Sequence, residues 1–195
     1  MRLPPPGDQE EFYARLLQNA RTEAEKAVIM LLWRTGMHAS TLCDRHFSIQ
    51  GDFAGPVHWR RPKTGKWLIA SLATPEMRVL RRCILTGSLP TAQRTLRRWV
   101  ARIGERAGIA GVCPLTLRHS RAIYLLDAGL PVNRVASLLG CSYNVLERHY
   151  AQIEAARLVD MPKGNGWPTT KKDPGQQRLR KPHNTRRRRG KRLVE

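Results

Sequence analysis

The chain has 195 residues, 41% of them hydrophobic, and 35 Lys and Arg against 15 Asp and Glu give a formal charge of +20. That length suits one core and a tail, while the lack of any apolar run near the roughly 20 residues that span a bilayer, and of a signal-peptide pattern, predicts a soluble protein with no membrane partner. A compact body this positive repels itself unless a polyanion screens it, so nucleic acid is the expected partner class.

Cys43, Cys83, Cys113 and Cys141 include no Cys-x-x-Cys pair, which argues against a zinc knuckle and a secreted disulfide framework. They read as reduced thiols of a cytoplasmic protein, with no metal site.

Residues 1–21 are expected to form an N-terminal extension, 22–162 the folded body and 163–195 a basic tail. In the body, Thr22 and Glu25 have capping-box spacing ahead of the run Ala27 to Trp33, and Gly36 is placed to end that helix. Between Ile49 and Leu72 the alternation Val57-His58-Trp59-Arg60 and the run Trp67-Leu68-Ile69 predict a sheet of two or three strands, with Pro62-Lys63-Thr64-Gly65 at a turn.

After Thr91, Leu96, Trp99, Val100, Ile103 and Ala107 form an apolar stripe. Arg94, Arg98 and Arg102 recur every four residues on another face and are candidate DNA contacts. Gly108 ends this helix, and shorter helices follow, with Gly129 and Gly140 at C-cap positions and Pro131 near a start. The body is therefore expected to be mainly α with a small antiparallel β-sheet.

From Lys163 onward twelve Lys or Arg stand against Asp173 and Glu195, so the tail carries +10 of the +20. It has almost no large apolar residues, cannot offset its ordering entropy by burial, and is expected to be disordered when free. Arg186, Arg187, Arg188 and Arg189 make it a candidate phosphate-binding arm.

A series of matches in order carries a resemblance to a known family. Leu115-Thr116-Leu117-Arg118-His119-Ser120, then Leu125 to Gly129, Leu138-Leu139-Gly140-Cys141-Ser142 and Tyr150 resemble the C-terminal signature of tyrosine recombinases and phage integrases. Upstream, Thr35 to Leu42 looks like the segment of the family's first arginine, and Arg61 to Lys66 like its β-hairpin lysine. The resemblance runs from about Ala27 to Tyr150 and implies the DNA breaking-rejoining fold.

It also implies a chemistry. In the family a tyrosine attacks a DNA phosphodiester to form a 3′-phosphotyrosyl bond, arginines hold the non-bridging oxygens, and a lysine protonates the leaving 5′-hydroxyl, with no metal or nucleotide cofactor. On that match Tyr150 is the nucleophile, Arg118 a phosphate ligand and Lys63 the general acid, with Lys66 as the alternative. Read without the resemblance, Tyr150 is equally a tyrosine with a buried ring and wet hydroxyl, Arg118 an ion-pair partner, and Lys63 a solvated turn residue.

Three positions depart from the pattern. His38 stands where the first arginine is expected, Leu115 where the histidine of the His-x-x-Arg box is expected, and Cys141 where histidine or tryptophan is usual. An imidazole offers one conditional charge in place of a permanent fork, and leucine and cysteine donate no comparable hydrogen bond. Arg34, His119 and His149 are the candidate compensating residues, and His119 is also a candidate DNA contact.

The resemblance further implies an N-terminal clamp domain, for which only about twenty residues precede the first matched helix; the basic tail or a partner recombinase chain is expected to supply that grip. Relatives act on duplex DNA as tetramers on paired sites, so a homo-oligomer is expected. The competing readings are a catalytically impaired accessory or architectural DNA-binding protein of the same fold, an RNA- or ribosome-associated basic protein suggested by the tail, and a helix-turn-helix regulator suggested by Pro131 to Tyr150.

Overall fold

A computed structural model describes residues 8–50, 55–61, 64–148 and 151. The chain divides into a compact unit, Met1–Asp160, and a second unit, Met161–Glu195, and every described residue belongs to the first. Lys63, His149, Tyr150 and Arg186 to Arg189 lie outside the described residues.

The described body is mainly helical: α1 (Gln9–Gln18), α2 (Glu23–Thr35), α3 (Ala39–Cys43), β1 (Phe47–Ile49), β2 (Val57–Arg60), β3 (Trp67–Ala70), α4 (Thr74–Leu85), α5 (Gln93–Arg106), α6 (Pro114–Asp127) and α7 (Val132–Leu139). A further helical stretch begins at Tyr143 and leaves the described residues after Arg148.

The centre of the fold is α2. Its sequence is apolar on every side from Ala27 to Trp33, and all seven of those residues are buried, as expected of a helix surrounded by others. It packs against α1, α4, α5 and α6. Its start is capped by Thr22, whose Oγ1 accepts from the Glu25 N–H at 3.1 Å. Its end is Gly36 at φ 62, in the left-handed region that glycine enters without steric cost.

Within the segment expected to be an extension, α1 inserts Phe12, Tyr13 and Leu16 into the same core. Tyr13 stacks on Trp33 with ring centroids 5.1 Å apart, and Tyr124 of α6 meets the Trp33 ring at a tilt. Stacked rings of this kind add about 0.5–1.5 kcal/mol to what burial supplies.

The three strands form one antiparallel sheet in the order β1-β2-β3, with Phe47 opposite Trp59 and Trp59 opposite Leu68. Val57 and Trp59 point into the core while Arg60 is exposed, the alternation of a half-covered sheet. The turn joining β2 to β3 is closed by the Arg61 N–H donating to the Lys66 carbonyl at 2.9 Å, with Gly65 at φ 66. β3 packs against α7.

A smaller cluster of Ala122, Val135, Ala136, Leu139 and Leu146 joins α6, α7 and the stretch after Tyr143. It sits beside the main core, and Arg118 of α6 bridges the gap between the two, bonded to the carbonyls of Gly36 and Leu139. No helix of the described residues is long and apolar enough to cross a membrane.

Candidate functional site

Arg118 is the hub of this gap. It occupies the second turn of α6, after a start fixed by Pro114 and by the Cys113 N–H donating to Thr116 Oγ1. With 9% of its surface exposed it is buried as arginines rarely are. One terminal nitrogen donates to the carbonyl of Gly36 and the other to that of Leu139, the latter at 2.8 Å. The guanidinium thus ties the end of α2 to the end of α7, and two helix-terminal carbonyls find the donors they would otherwise lack.

Cys141 is in side-chain contact with this guanidinium, and Arg61 is close enough for the two cations to repel. Burial, and secondarily Arg61, pull the Arg118 pKa down, while Cys141 pulls it up. The fork still carries its charge, since a guanidinium does not deprotonate in a protein, and two carbonyls leave three of its five N–H groups for other acceptors.

Two openings meet at Arg118. The larger, about 440 Å³, lies between the α2–α3 turn, the start of α5 and the start of α6; His38, Ser40, Gln93, Arg97, Cys113 and Leu115 are among its walls. The smaller, about 170 Å³, is walled by His38, Arg61, Leu115, His119, Cys141 and Leu146, with Arg118 again on its lining. Among the described residues no carboxylate lines either one.

His38, Arg118 and Cys141 are therefore brought to one place, with Leu115 and His119 beside them. His38 is pushed down to about 4 by desolvation first, then by the charges of Arg118 and Arg61. At neutral pH it is an uncharged imidazole, which sharpens the expectation from sequence: the conditional charge is absent near pH 7. Leu115 is 42% exposed and offers no polar atom from its side chain.

One expectation is corrected. Arg34 does not compensate for the missing arginine, because its fork is engaged elsewhere: Nε and Nη2 both meet Glu76 Oε1 at 3.0 Å, and its guanidinium lies over the Tyr13 ring. α2 ends at Gly36, so Arg34 and His38 are not on successive turns of one helix, and Arg34 meets α4 instead. His149, the third candidate, lies outside the described residues.

Arg94, Arg98 and Arg102 are exposed along α5, opposite the buried Leu96, Val100 and Ile103. Arg97, which the every-fourth-residue pattern passes over, lines both the larger opening and a groove beside Arg94 and Arg98. Arg97 lies one turn after Gln93, which lines the same opening, and only the structure shows this. Lys66 is exposed at the hairpin. Arg61 entered the sequence reading only as the first letter of the hairpin motif.

No group of three or more His, Cys, Asp or Glu among the described residues is arranged to hold a metal ion. The arrangement is instead suited to an anion: buried, preorganised N–H donors in a low-dielectric cleft favour negative charge most when no acid competes for them.

Comparison with known proteins bears on the fold. The fold is that of the tyrosine recombinase catalytic domain: the chain superposes on the crystal structure of XerA recombinase with a TM-score of 0.61 at 22% identity, covering 83% of this chain and 66% of that one. XerH site-specific recombinase bound to its difH substrate matches with a TM-score of 0.60 at 17% identity, over 83% of this chain and 56% of that one. The lambda integrase catalytic core matches at 0.53 and 19%, over 71% of this chain and 91% of that core.

In sequence the chain is 27% identical over 151 residues to the tyrosine recombinase XerC of Corynebacterium efficiens, covering 70% of this chain and 48% of the relative. The XerC of Corynebacterium glutamicum matches to the same extent. The chain spans about half the length of these curated relatives. No protein-family model matches it. The chain is thus similar in sequence to XerC tyrosine recombinases and shares the fold of the recombinase and integrase catalytic cores.

Proposed function

We propose that this chain is the catalytic domain of a site-specific DNA strand transferase, acting on duplex DNA through a 3′-phosphotyrosyl intermediate at Tyr150. The observation that carries this reading is the cleft centred on buried Arg118, with no carboxylate among its described walls, one of which is Leu146, four residues before Tyr150 in sequence.

The chemistry balances without a cofactor. The Tyr150 phenol gives up its proton to solvent as its oxygen attacks phosphorus, the bond to the 5′-oxygen breaks, and the departing oxygen takes a proton from Lys63, which solvent then restores. The reverse attack by a 5′-hydroxyl restores the phosphodiester and frees the tyrosine. Arg118 stabilises charge on the non-bridging oxygens as it develops, the contribution expected of a fixed donor in a dry site.

The exposed face of Arg94, Arg98 and Arg102, with Arg97 at the cleft, provides a cationic track for the flanking phosphates. The structural neighbour XerH was crystallised bound to its difH substrate and lambda integrase bound to DNA, which supports duplex DNA as the partner here. We take the working state to be a DNA-associated homo-oligomer, or one completed by a partner recombinase chain, with Arg186 to Arg189 as a phosphate-binding arm.

A nicked suicide duplex tests this directly. Wild-type protein is expected to trap a covalent protein–DNA adduct, and Tyr150→Phe to lose it while keeping its DNA affinity. No adduct on any duplex that the wild type binds specifically, or an adduct that survives Tyr150→Phe, sinks the proposal.

A second reading is a DNA-binding accessory protein of the same fold. It is favoured by His38 being neutral and by Leu115, which leave two of the family's phosphate-contacting positions without a strong donor. It predicts specific DNA binding with no adduct.

A further inference from the structure

The most unusual polar atom near the cleft belongs to Arg61. Its Nε is buried and has no hydrogen-bond partner among the described residues. A buried N–H without an acceptor costs on the order of 1–3 kcal/mol, and more for a charged group. Proteins tolerate that cost where a ligand supplies the missing acceptor.

The backbone of Arg61 is held at the base of the β2–β3 turn by its bond to the Lys66 carbonyl. From there the side chain runs across the end of α7. Gly140 makes that path possible: a Cβ built there would lie 3.3 Å from Arg61 Cδ and 2.7 Å from Leu68 Cδ1. Arg61 then lines the smaller opening, whose walls also include His38, Arg118 and Cys141.

Two like-charged forks in one opening, with no acid among its described walls, repel each other until an anion arrives. The geometry points to Arg61 as the second phosphate-binding guanidinium of this cleft, filling from the hairpin side the role that His38 leaves open. This rests on the strand-transfer reading above and deepens it: the ligand is a phosphoryl group gripped by two arginines from different elements, Arg61 after β2 and Arg118 on α6. His38 then serves as a neutral hydrogen-bonding neighbour. Of the other nearby cations, Arg34 is engaged by Glu76 and Arg97 is exposed in the larger opening.

The test is side-chain ¹⁵N NMR of the full chain, following the Nε signals of Arg61 and Arg118 while inorganic phosphate or a short duplex DNA is added. Both signals are expected to shift on the duplex with one dissociation constant. Arg61→Gln is expected to weaken the response at Arg118 about tenfold, the loss of one charge-assisted hydrogen bond, and Arg61→Lys to recover part of it.

A response at Arg118 with Arg61 silent in the wild type overturns the inference and leaves the strand-transfer reading standing. An Arg61→Gln variant whose Arg118 response stays within twofold does the same. Silence of both signals while the duplex binds overturns the cleft as a phosphate site altogether. A response to inorganic phosphate alone supports the paired arginines as an oxyanion site and counts against DNA as its occupant.

Discussion

Arginines on two sides of α2 live in opposite surroundings. Toward α4 and α5 they meet acids: Arg34 with Glu76 at 3.0 Å, Arg106 with Glu25 at 2.6 Å, and Arg82 with Glu23 at 2.8 Å. Around the cleft, Arg118 is more deeply buried than any of these, yet its described partners are backbone carbonyls and a cysteine, and its neighbour is another arginine. An ion pair satisfies a guanidinium and closes it to ligands. Carbonyls orient the fork while leaving its net charge uncompensated, and that is the condition an anion site requires.

The contrast breaks first at Arg118. Arg118→Ala is expected to destabilise the fold by about 3 kcal/mol, because the buried carbonyls of Gly36 and Leu139 lose their donors together. The same variant should lose the DNA adduct. Urea denaturation checks the first statement, and the suicide duplex the second.

On the other side, Glu76→Gln should cost about 2 kcal/mol, less than a fully buried pair because Arg34 keeps 33% of its side chain exposed. Glu76 also accepts from the Tyr13 hydroxyl and from the Ala73 N–H at the start of α4, so one substitution weakens three contacts. DNA affinity is expected to stay unchanged, measured by fluorescence anisotropy. A large fall in affinity would erase the division between structural and ligand-binding arginines.

Gly140→Ala comes next. Its φ of 64 costs a residue with a Cβ about 1–2 kcal/mol, and that Cβ meets Leu68. The thermal midpoint should fall, and DNA binding should weaken beyond the fall in folded fraction because Arg61 is displaced.

The smallest effect is titration of His38. Its folded pKa is lowered from 6.5 to about 4, so the unfolded chain binds the extra proton first. Its contribution to stability is full above about 6.5 and is lost as pH falls toward 4. Exposure of the ring to solvent keeps the effect small. His38→Asn should therefore flatten the acid side of the stability profile slightly, and Arg61→Gln should raise the His38 value in an NMR titration.

Much of the helical frame was legible because it rests on local physics. Thr22 capping α2, Gly36 and Gly140 in left-handed conformations, the apolar stripe of α5 and the alternation of β2 follow from neighbours within a turn or two. The site was legible in part: order and spacing singled out Arg118, His38 and Cys141, which the fold brings to one cleft. Arg34 was misread because i and i+4 proximity says nothing about which residue on another helix lies opposite, and Glu76 is 42 positions away. Arg61 and Arg97 were passed over because neither falls on the periodic pattern, and each acquires its meaning from walls supplied by other elements.

By itself the sequence determined the positive charge, a mainly helical body with a small sheet, and the side chains at the three positions that depart from the resembled pattern, since charge, caps and side-chain identity do not depend on distant contacts. Only the tertiary structure decided which arginines are engaged by acids and which face a cleft with no acid among its described walls. That choice depends on residues far apart in the chain meeting at one point, where burial and the nearest charge set whether a guanidinium is satisfied or available.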